Sequence, residues 1–109
     1  LCLNNDRFAV EASWRSPDGS SGMADARPLT DDSGTFAFFD PDNIELLVKV
    51  LDACQPPFER YWVFAAGLTD VEVDLVVTDT ITGEIQRYSN PLSTAFEPIL
   101  DTNAFDTCP

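Results

Sequence analysis

The chain has 109 residues, of which 44% are apolar and 11% aromatic, enough for one compact core in a single domain spanning residues 1–109. Its 19 acidic and 6 basic residues give a net charge of −13, which excludes nucleic acid as a partner because a phosphate backbone requires a Lys/Arg footprint. No apolar run approaches the roughly 20 residues that cross a bilayer, so no membrane insertion is expected, and the first residue, Leu1, predicts a processed or excised piece.

The first predicted element is a half-buried strand over residues 7–15, where apolar and other side chains alternate with a period of two. Turn-forming residues at 16–22 then reverse the chain. Residues 23–29 are expected to return as a polar edge strand, so this region is predicted to be a hairpin. The inward positions of the first strand are Phe8, Val10, Ala12 and Trp14.

The rest of the chain is predicted to form further short strands separated by turns. Turn formers occupy residues 31–34, 40–43, 67–70 and 82–83. The predicted strands cover residues 35–39, 44–51, 60–66, 71–78 and 84–89, with a final extended segment near 96–100. Seven or eight short strands without an amphipathic helix predict an all-β fold, specifically an antiparallel β-sandwich of immunoglobulin-like architecture.

Three cysteines, two of them near the chain ends, indicate a disulfide in an oxidising compartment. We expect Cys54 to pair with Cys108 and so fasten the carboxyl terminus to the body of the domain. Because three is odd, Cys2 is expected to stay free or to pair with a thiol outside this chain. No Cys-x-x-Cys spacing and no histidine is present, which argues against a zinc site.

Catalysis is not expected, and no cofactor is predicted apart from a possible calcium ion. Without histidine the chain cannot form a Ser-His or Cys-His pair. Adjacent carboxylates such as Asp31 and Asp32 resemble glycosidase pairs only superficially, because a sandwich of this size has little room for the deep cleft that raises one carboxyl pKa.

The turn at Asp40, Asp42 and Asn43 is the best calcium candidate, with Asp31 and Asp32 as further oxygen ligands. Calcium prefers six to eight oxygens, so this set is incomplete by itself. The alternative is that these side chains hydrogen-bond the backbone of their own turns.

Tyr61 and Trp62 are candidates for stacking against a sugar ring. Because they are neighbours on one predicted strand, they point to opposite faces and one of them can be exposed. Trp14 is in register with Phe8 and Val10 and is expected in the core instead.

A contact surface is suggested by apolar residues where a solvated surface would be polar. Leu47, Leu51 and Val76 lie on strand faces that otherwise carry charge, and Leu1, Cys2 and Leu3 form an apolar terminus. An extended terminal segment of one subunit could add a strand to the sheet of the next. The alternative is that these apolar residues lie under loops, or that residues 1–3 begin the first strand of their own sheet.

Several strings together resemble a recurrent β-sandwich domain of secreted, often multi-part bacterial proteins. They include Leu-Cys-Leu-Asn-Asn at 1–5, Phe-Phe-Asp-Pro-Asp-Asn at 38–43, Val-Lys-Val-Leu-Asp at 48–52, Trp-Val-Phe at 62–64, Gly-Leu-Thr-Asp-Val-Glu-Val at 67–73, Val-Thr-Asp-Thr at 77–80 and Asp-Thr-Asn-Ala-Phe at 101–105. The resemblance implies a secreted bacterial protein without enzymatic activity. Similar domains carry a further cysteine upstream of the first string, which implies a partner for Cys2 outside this chain, and some look like protomers of extracellular fibres.

Two hypotheses follow for the function. In the first, the chain is a structural protomer of an extracellular bacterial assembly, a filament of copies of itself on the cell surface or released from it. In the second, it is a monomeric module that binds glycan or protein through Tyr61, Trp62 and the turn carboxylates. The position of any exposed apolar patch should discriminate between them.

Overall fold

A computed structural model describes residues 1–109 and contains ten β-strands, all of them paired antiparallel. No element is a helix long and apolar enough to span a membrane. The strands are β1 (Cys2–Leu3), β2 (Phe8–Arg15), β3 (Ser21–Met23), β4 (Asp25–Thr30), β5 (Ser33–Ala37), β6 (Leu46–Ala53), β7 (Arg60–Gly67), β8 (Glu72–Asp79), β9 (Ile85–Asn90) and β10 (Ile99–Phe105).

The strands form two five-stranded sheets that enclose one core. The first sheet has the order β1-β2-β8-β9, with β3 also paired to β2, and the second sheet has the order β10-β7-β6-β5-β4. The predicted all-β sandwich is therefore confirmed, whereas its immunoglobulin-like character stays a prediction. Ten strands are present instead of seven or eight because β1 and β3 are too short to leave an alternating pattern in the sequence.

Alternating side chains fill the space between the sheets. On β8, Val73, Leu75 and Val77 are fully buried, as the period of two predicts. The Phe8 ring lies 4.8 Å from the ring of Tyr61 and 5.1 Å from that of Phe105, measured between centroids. These aromatic contacts join the first sheet to the second at one end of the core.

The predicted edge strand over 23–29 is divided between the two sheets. The turn at 16–22 does produce a hairpin of β2 and β3. After β3, however, the Ala24 amide donates to the Ala12 carbonyl at 2.8 Å, and the chain then crosses to the second sheet, where β4 pairs with β5. The crossing closes one side of the sandwich, which no local pattern of side chains could indicate.

The amino terminus is built into the first sheet. Cys2 pairs with Ala9 and Leu3 with Phe8, while the Leu1 ammonium donates to the Val10 carbonyl at 3.1 Å. Leu3 is fully buried, so it belongs to the core and not to a contact surface. The alternative that residues 1–3 begin their own sheet is the correct one, because β1 covers an edge of β2 that would otherwise be unpaired.

The carboxyl-terminal strand lies later in the chain than predicted. The extended segment expected near residues 96–100 is a loop followed by β10, which begins at Ile99. The register between β10 and β7 shifts between Asp101 and Phe105, and this irregularity hides the alternation in the sequence. Beyond β10, Cys108 forms the expected disulfide with Cys54, their Cα atoms 5.6 Å apart. A disulfide is compatible with an extracellular protein.

Candidate functional site

The solvent side of the second sheet is predominantly apolar. The strand register places Leu47 opposite Ala66, Leu51 opposite Trp62, and Phe64 between Lys49 and Leu100. We call this surface the apolar face and define it by Leu47, Leu51, Trp62, Phe64, Ala66 and Leu100, with Leu29, Ile44, Phe58 and Leu68 at its rim.

The side chains of the apolar face are substantially exposed. Leu47 is 45% exposed and Leu100 70%, and at the rim Leu68 reaches 80%. An antiparallel sheet that faces water on one side normally alternates apolar-in and polar-out, so a contiguous apolar outer face departs from that rule. The residues that depart from it are therefore the strongest candidates for a contact surface.

Two shallow depressions lie side by side on this surface. The larger, about 340 Å³, is lined mainly by Leu29, Ile44, Leu46, Leu47, Ala66 and Leu68. The smaller, about 190 Å³, lies between Leu47, Phe64, Pro98 and Leu100. Leu47 and Ala66 line both depressions and so form the ridge between them.

Three aromatic rings form a row along β7. The Phe58 ring packs edge-on against Trp62 at 5.1 Å between centroids, and Trp62 stacks with Phe64 at 5.8 Å. Trp62 is half-buried by these neighbours, whereas Tyr61 points into the core and is only 4% exposed. Of the two predicted ligand-stacking residues, therefore, only Trp62 lies on the surface.

Charge distinguishes the two outer faces of the sandwich. Lys49 is the only charged side chain in the middle of the apolar face, while Arg60 at the strand end pairs with Asp106 at 3.1 Å. On the first sheet the outward rows carry three carboxylates, those of Glu11, Glu72 and Asp74, and two guanidinium groups, those of Arg15 and Arg87. The middle of the apolar face is thus almost free of charge, whereas the opposite outer face carries charges of both signs.

The structure separates the other predicted contact residues. Val76 lies on the outer side of the first sheet, between Glu11 and Arg87, and so on the opposite side of the sandwich from the apolar face. Cys2 is a free, exposed cysteine, and because Leu3 points inward its side chain lies on the outer side of the first sheet. Leu47 and Leu51, by contrast, come together on the apolar face.

The predicted calcium ligands act within their own turn. The Asp40 carboxylate accepts a hydrogen bond from the Asp42 amide at 2.9 Å. The Asn43 side-chain amide donates to the carboxylate of Glu45 at 2.9 Å. The Asp40 bond matches the alternative that these side chains hydrogen-bond the turn backbone, whereas the Asn43 bond joins two side chains.

Asp31 and Asp32 have partners of their own as well. The Asp31 carboxylate accepts a hydrogen bond from the backbone amide of Asn5 at 3.0 Å, and the Asp32 carboxylate accepts one from the Thr30 hydroxyl at 2.9 Å. No group of three or more acidic, cysteine or histidine side chains is arranged to hold a metal ion. Calcium binding stays a prediction.

An ion pair that left no signal in the sequence lies inside the sandwich. The Arg7 guanidinium donates to both oxygens of Asp79, at 3.1 and 2.9 Å, and also to the Tyr61 hydroxyl at 3.1 Å and the Thr107 carbonyl at 2.7 Å. Its carbon centre lies 4.8 Å from the centroid of the Tyr61 ring. The pair links both sheets to the carboxyl-terminal segment.

The environment of Asp79 keeps this carboxyl ionised. Its side chain is fully buried, and that of Arg7 is 12% exposed. Burial by itself raises the pKa of Asp79, but hydrogen bonds from Arg7 and from the Ile81 amide outweigh burial and hold the pKa well below its usual range. Because 72 residues separate Arg7 from Asp79, only their tertiary contact reveals the pair.

Comparisons with family models, with curated proteins and with solved structures find no match for this chain. The resemblance to a secreted bacterial β-sandwich domain therefore stays a prediction.

Proposed function

We propose that this chain is a non-enzymatic structural subunit of an extracellular bacterial assembly, a filament built from copies of itself. The observation that carries the proposal is the apolar face, because a lone subunit would expose to water the apolar side chains that the register collects there. Contact with another subunit would remove them from water, which is the dominant favourable contribution to protein association.

A filament needs two contact surfaces on every subunit. One self-complementary surface closes after two copies, so growth requires a second contact elsewhere. The apolar face supplies the first surface. Cys2, exposed on the outer side of the opposite sheet, supplies a candidate for the second through a disulfide between subunits. Contacts on opposite sides of a sandwich would join subunits into an unbranched chain.

The charge of −13 opposes this assembly unless cations intervene. Two like charges at contact distance repel by about 1 to 4 kcal/mol, depending on the local dielectric. Salt screens such repulsion over about 10 Å, and calcium could bridge exposed carboxylates of neighbouring subunits. We therefore expect calcium or moderate salt to favour filaments.

Negative-stain electron microscopy tests the proposal directly. The purified protein is imaged with and without calcium and with and without a reducing agent, beside a Cys2→Ser variant. Filaments that shorten or disappear on reduction and in the Cys2→Ser variant would support the two-contact subunit. Dispersed particles under every condition would contradict the filament.

The aromatic row supports a second candidate, a monomeric binding module for glycan or protein. Trp62 and Phe64 offer two stacked rings, with Phe58 edge-on beside Trp62, on the outer side of the sheet, and sugar rings can pack on aromatic rings arranged in this way. A glycan array probed with the wild type and with Trp62→Ala tests this candidate. The control is Phe39→Ala, which removes a ring that is 56% exposed outside the row. Binding lost only in Trp62→Ala would favour the module, and an array without hits would argue against a glycan ligand.

A further inference from the structure

We infer that the apolar face binds the same face of a second copy of this chain, so that the two copies form a two-fold symmetric pair. The inference deepens the proposed function, on which its biological role rests, by naming the partner and the geometry of one of the two contacts.

The shape of the face is complementary to itself. Leu100 is 70% exposed and projects at one side of the face, on the edge strand β10. The larger depression, about 340 Å³, lies toward the other side, where β4 and β5 border β6. A two-fold axis in the plane between two facing copies, midway between Leu100 and the depression, would place each Leu100 over the depression of the other copy. A contact of this kind requires both features on one surface.

The size of the face suits a pair of modest affinity. The defining residues lie on three strands about 4.8 Å apart and over five residues of β7 at about 3.3 Å each, which outlines a surface on the order of 250 Å². The rim residues Leu29, Ile44, Phe58 and Leu68 extend it, and each is exposed by about half or more. A specific interface buries roughly 600 to 1,000 Å² on each partner, so this face suits a weak contact of less than standard size.

The distribution of charge favours this face over other surfaces as the contact between two copies. A subunit with a net charge of −13 repels its own copies wherever carboxylates meet. The middle of the apolar face carries no carboxylate and a single cation, Lys49. Two copies can therefore approach face to face without bringing two carboxylates together in the middle of the contact.

The lining of the larger depression favours a protein partner with apolar side chains. Its two polar side chains are covered, with Thr35 only 6% exposed and Glu45 only 7% exposed. Glu45 is also occupied by the side-chain amide of Asn43. A sugar or a charged ligand would find no free hydrogen-bonding group there, whereas a branched aliphatic side chain such as Leu100 would bury its carbon surface.

Sedimentation equilibrium tests the pair without reductant, which would also open the Cys54–Cys108 disulfide; every protein compared, the otherwise wild-type reference included, carries Cys2→Ser so that no disulfide forms through Cys2. We expect the wild type to pass from monomer to dimer as its concentration rises through the micromolar range. Leu47→Glu and Leu100→Glu should each raise the dissociation constant at least about tenfold, because each buries an unpaired carboxylate in the contact. Circular dichroism and urea unfolding of each variant confirm that it is folded.

The matched control is Ile85→Glu. Ile85 is 48% exposed, against 45% for Leu47, and it lies on the outer side of the first sheet opposite Thr78. The Ile85→Glu substitution introduces the same charge at a similarly exposed position outside the apolar face. A wild type that stays monomeric throughout, a dimer unaffected by both face variants, or a dimer weakened equally by Ile85→Glu would each overturn the inference.

The same variants separate this inference from the proposed function. Dimers that depend on Leu47 but never form filaments would support the inference and contradict the filament. Filaments that persist in Leu47→Glu and Leu100→Glu, with no dimer in the Cys2→Ser protein, would contradict the inference while leaving the filament proposal in place.

Discussion

At the scale of single residues, Arg7 makes four side-chain hydrogen bonds, more than any other side chain in this sandwich. It joins β8 through Asp79, β7 through Tyr61, and the terminal segment through Thr107. A buried ion pair contributes little net stability compared with a well-packed apolar pair, but the loss of one partner leaves the other charge uncompensated. Removal of Arg7 alone should therefore lower the free energy of unfolding by far more than the intact ion pair adds to it.

Arg7→Met should lower the free energy of unfolding by about 3 to 5 kcal/mol, because the buried Asp79 carboxylate loses its bidentate partner. Urea unfolding at neutral pH measures the change. The control is Arg15→Met, which removes an exposed pair with Glu72 and should cost no more than about 1 kcal/mol. Equal losses in the two variants would contradict the role of burial.

The effect of Arg7→Met should depend on pH. In the wild type the pKa of Asp79 is lower in the folded state than in the unfolded state. The ion pair therefore contributes its full stability at pH values above the unfolded pKa of about 3.9. That stability is lost as the pH falls through the lower, folded-state pKa. In the variant, burial without Arg7 should raise that pKa, and protonation in acid then relieves the penalty. The difference between the proteins should therefore be largest near neutral pH and shrink in acid, as unfolding curves across that range would show.

Asn4, Asn5 and Asp6 form an unusual stretch of three consecutive residues with positive φ, at 56°, 53° and 65°. Asparagine and aspartate tolerate this left-handed conformation, whereas β-branched residues do not. Asn5→Val should destabilise the fold by about 1 to 3 kcal/mol, and Asn5→Gly should be close to neutral. Both variants keep the backbone amide that donates to Asp31, so thermal unfolding isolates the backbone effect.

At the scale of elements, both chain ends are fastened to the sandwich by different means. Backbone hydrogen bonds hold β1 against β2, while the disulfide from Cys108 to Cys54 and the contact of Arg7 with Thr107 hold the segment beyond β10.

The apolar face depends both on the alternation within each strand and on which strands are neighbours. The period of two assigns a side chain to one face, but the pairing of β6, β7 and β10 decides that their apolar faces adjoin.

The double variant Cys54→Ala with Cys108→Ala should lose about 4 kcal/mol of stability. The two cysteines are 54 residues apart in sequence, and closing a loop of that size restricts the unfolded chain by about that amount. Urea unfolding in the absence of reductant measures the loss. Cys2→Ser serves as the control and should leave the unfolding midpoint unchanged, because Cys2 has no intramolecular partner. A comparable loss in Cys2→Ser would contradict this assignment.

At the scale of the whole molecule, the sandwich combines an apolar outer face with a strongly acidic remainder. The two properties oppose each other in association, since burial of the face attracts a second copy and a charge of −13 repels it. The balance between them should be set by ionic strength, because the repulsion acts between exposed charges that salt can screen.

The dimer dissociation constant should therefore fall when salt is raised from low to near-physiological ionic strength. Sedimentation equilibrium across a salt series measures this dependence, with magnesium chloride and calcium chloride compared at equal ionic strength. An additional effect of calcium would indicate bridged carboxylates. Association that weakens steadily with salt would instead indicate a contact held by opposite charges, contrary to an apolar interface.

The sequence by itself determined the all-β class, because alternation with a period of two is a local property that survives in any tertiary context. Strands over 44–51, 60–66, 71–78 and 84–89 were located to within about two residues of β6, β7, β8 and β9. The disulfide also followed from the chain, since Cys54 and Cys108 were the favoured pair and the structure joins them. Leu47 and Leu51 stood out because they are apolar where their strand face should be charged.

Only the tertiary structure decided which strands are neighbours. Strand pairing joins residues far apart in sequence, so the transfer of β4 to the second sheet, the burial of Leu3 and the contact of Arg7 with Asp79 left no local signal. For the same reason the separate apolar residues Leu47, Trp62 and Leu100 became one surface only when β6, β7 and β10 were placed side by side. A strand's sequence records which side chains share a face, but the free energy of burying that face depends on what the rest of the chain packs against it.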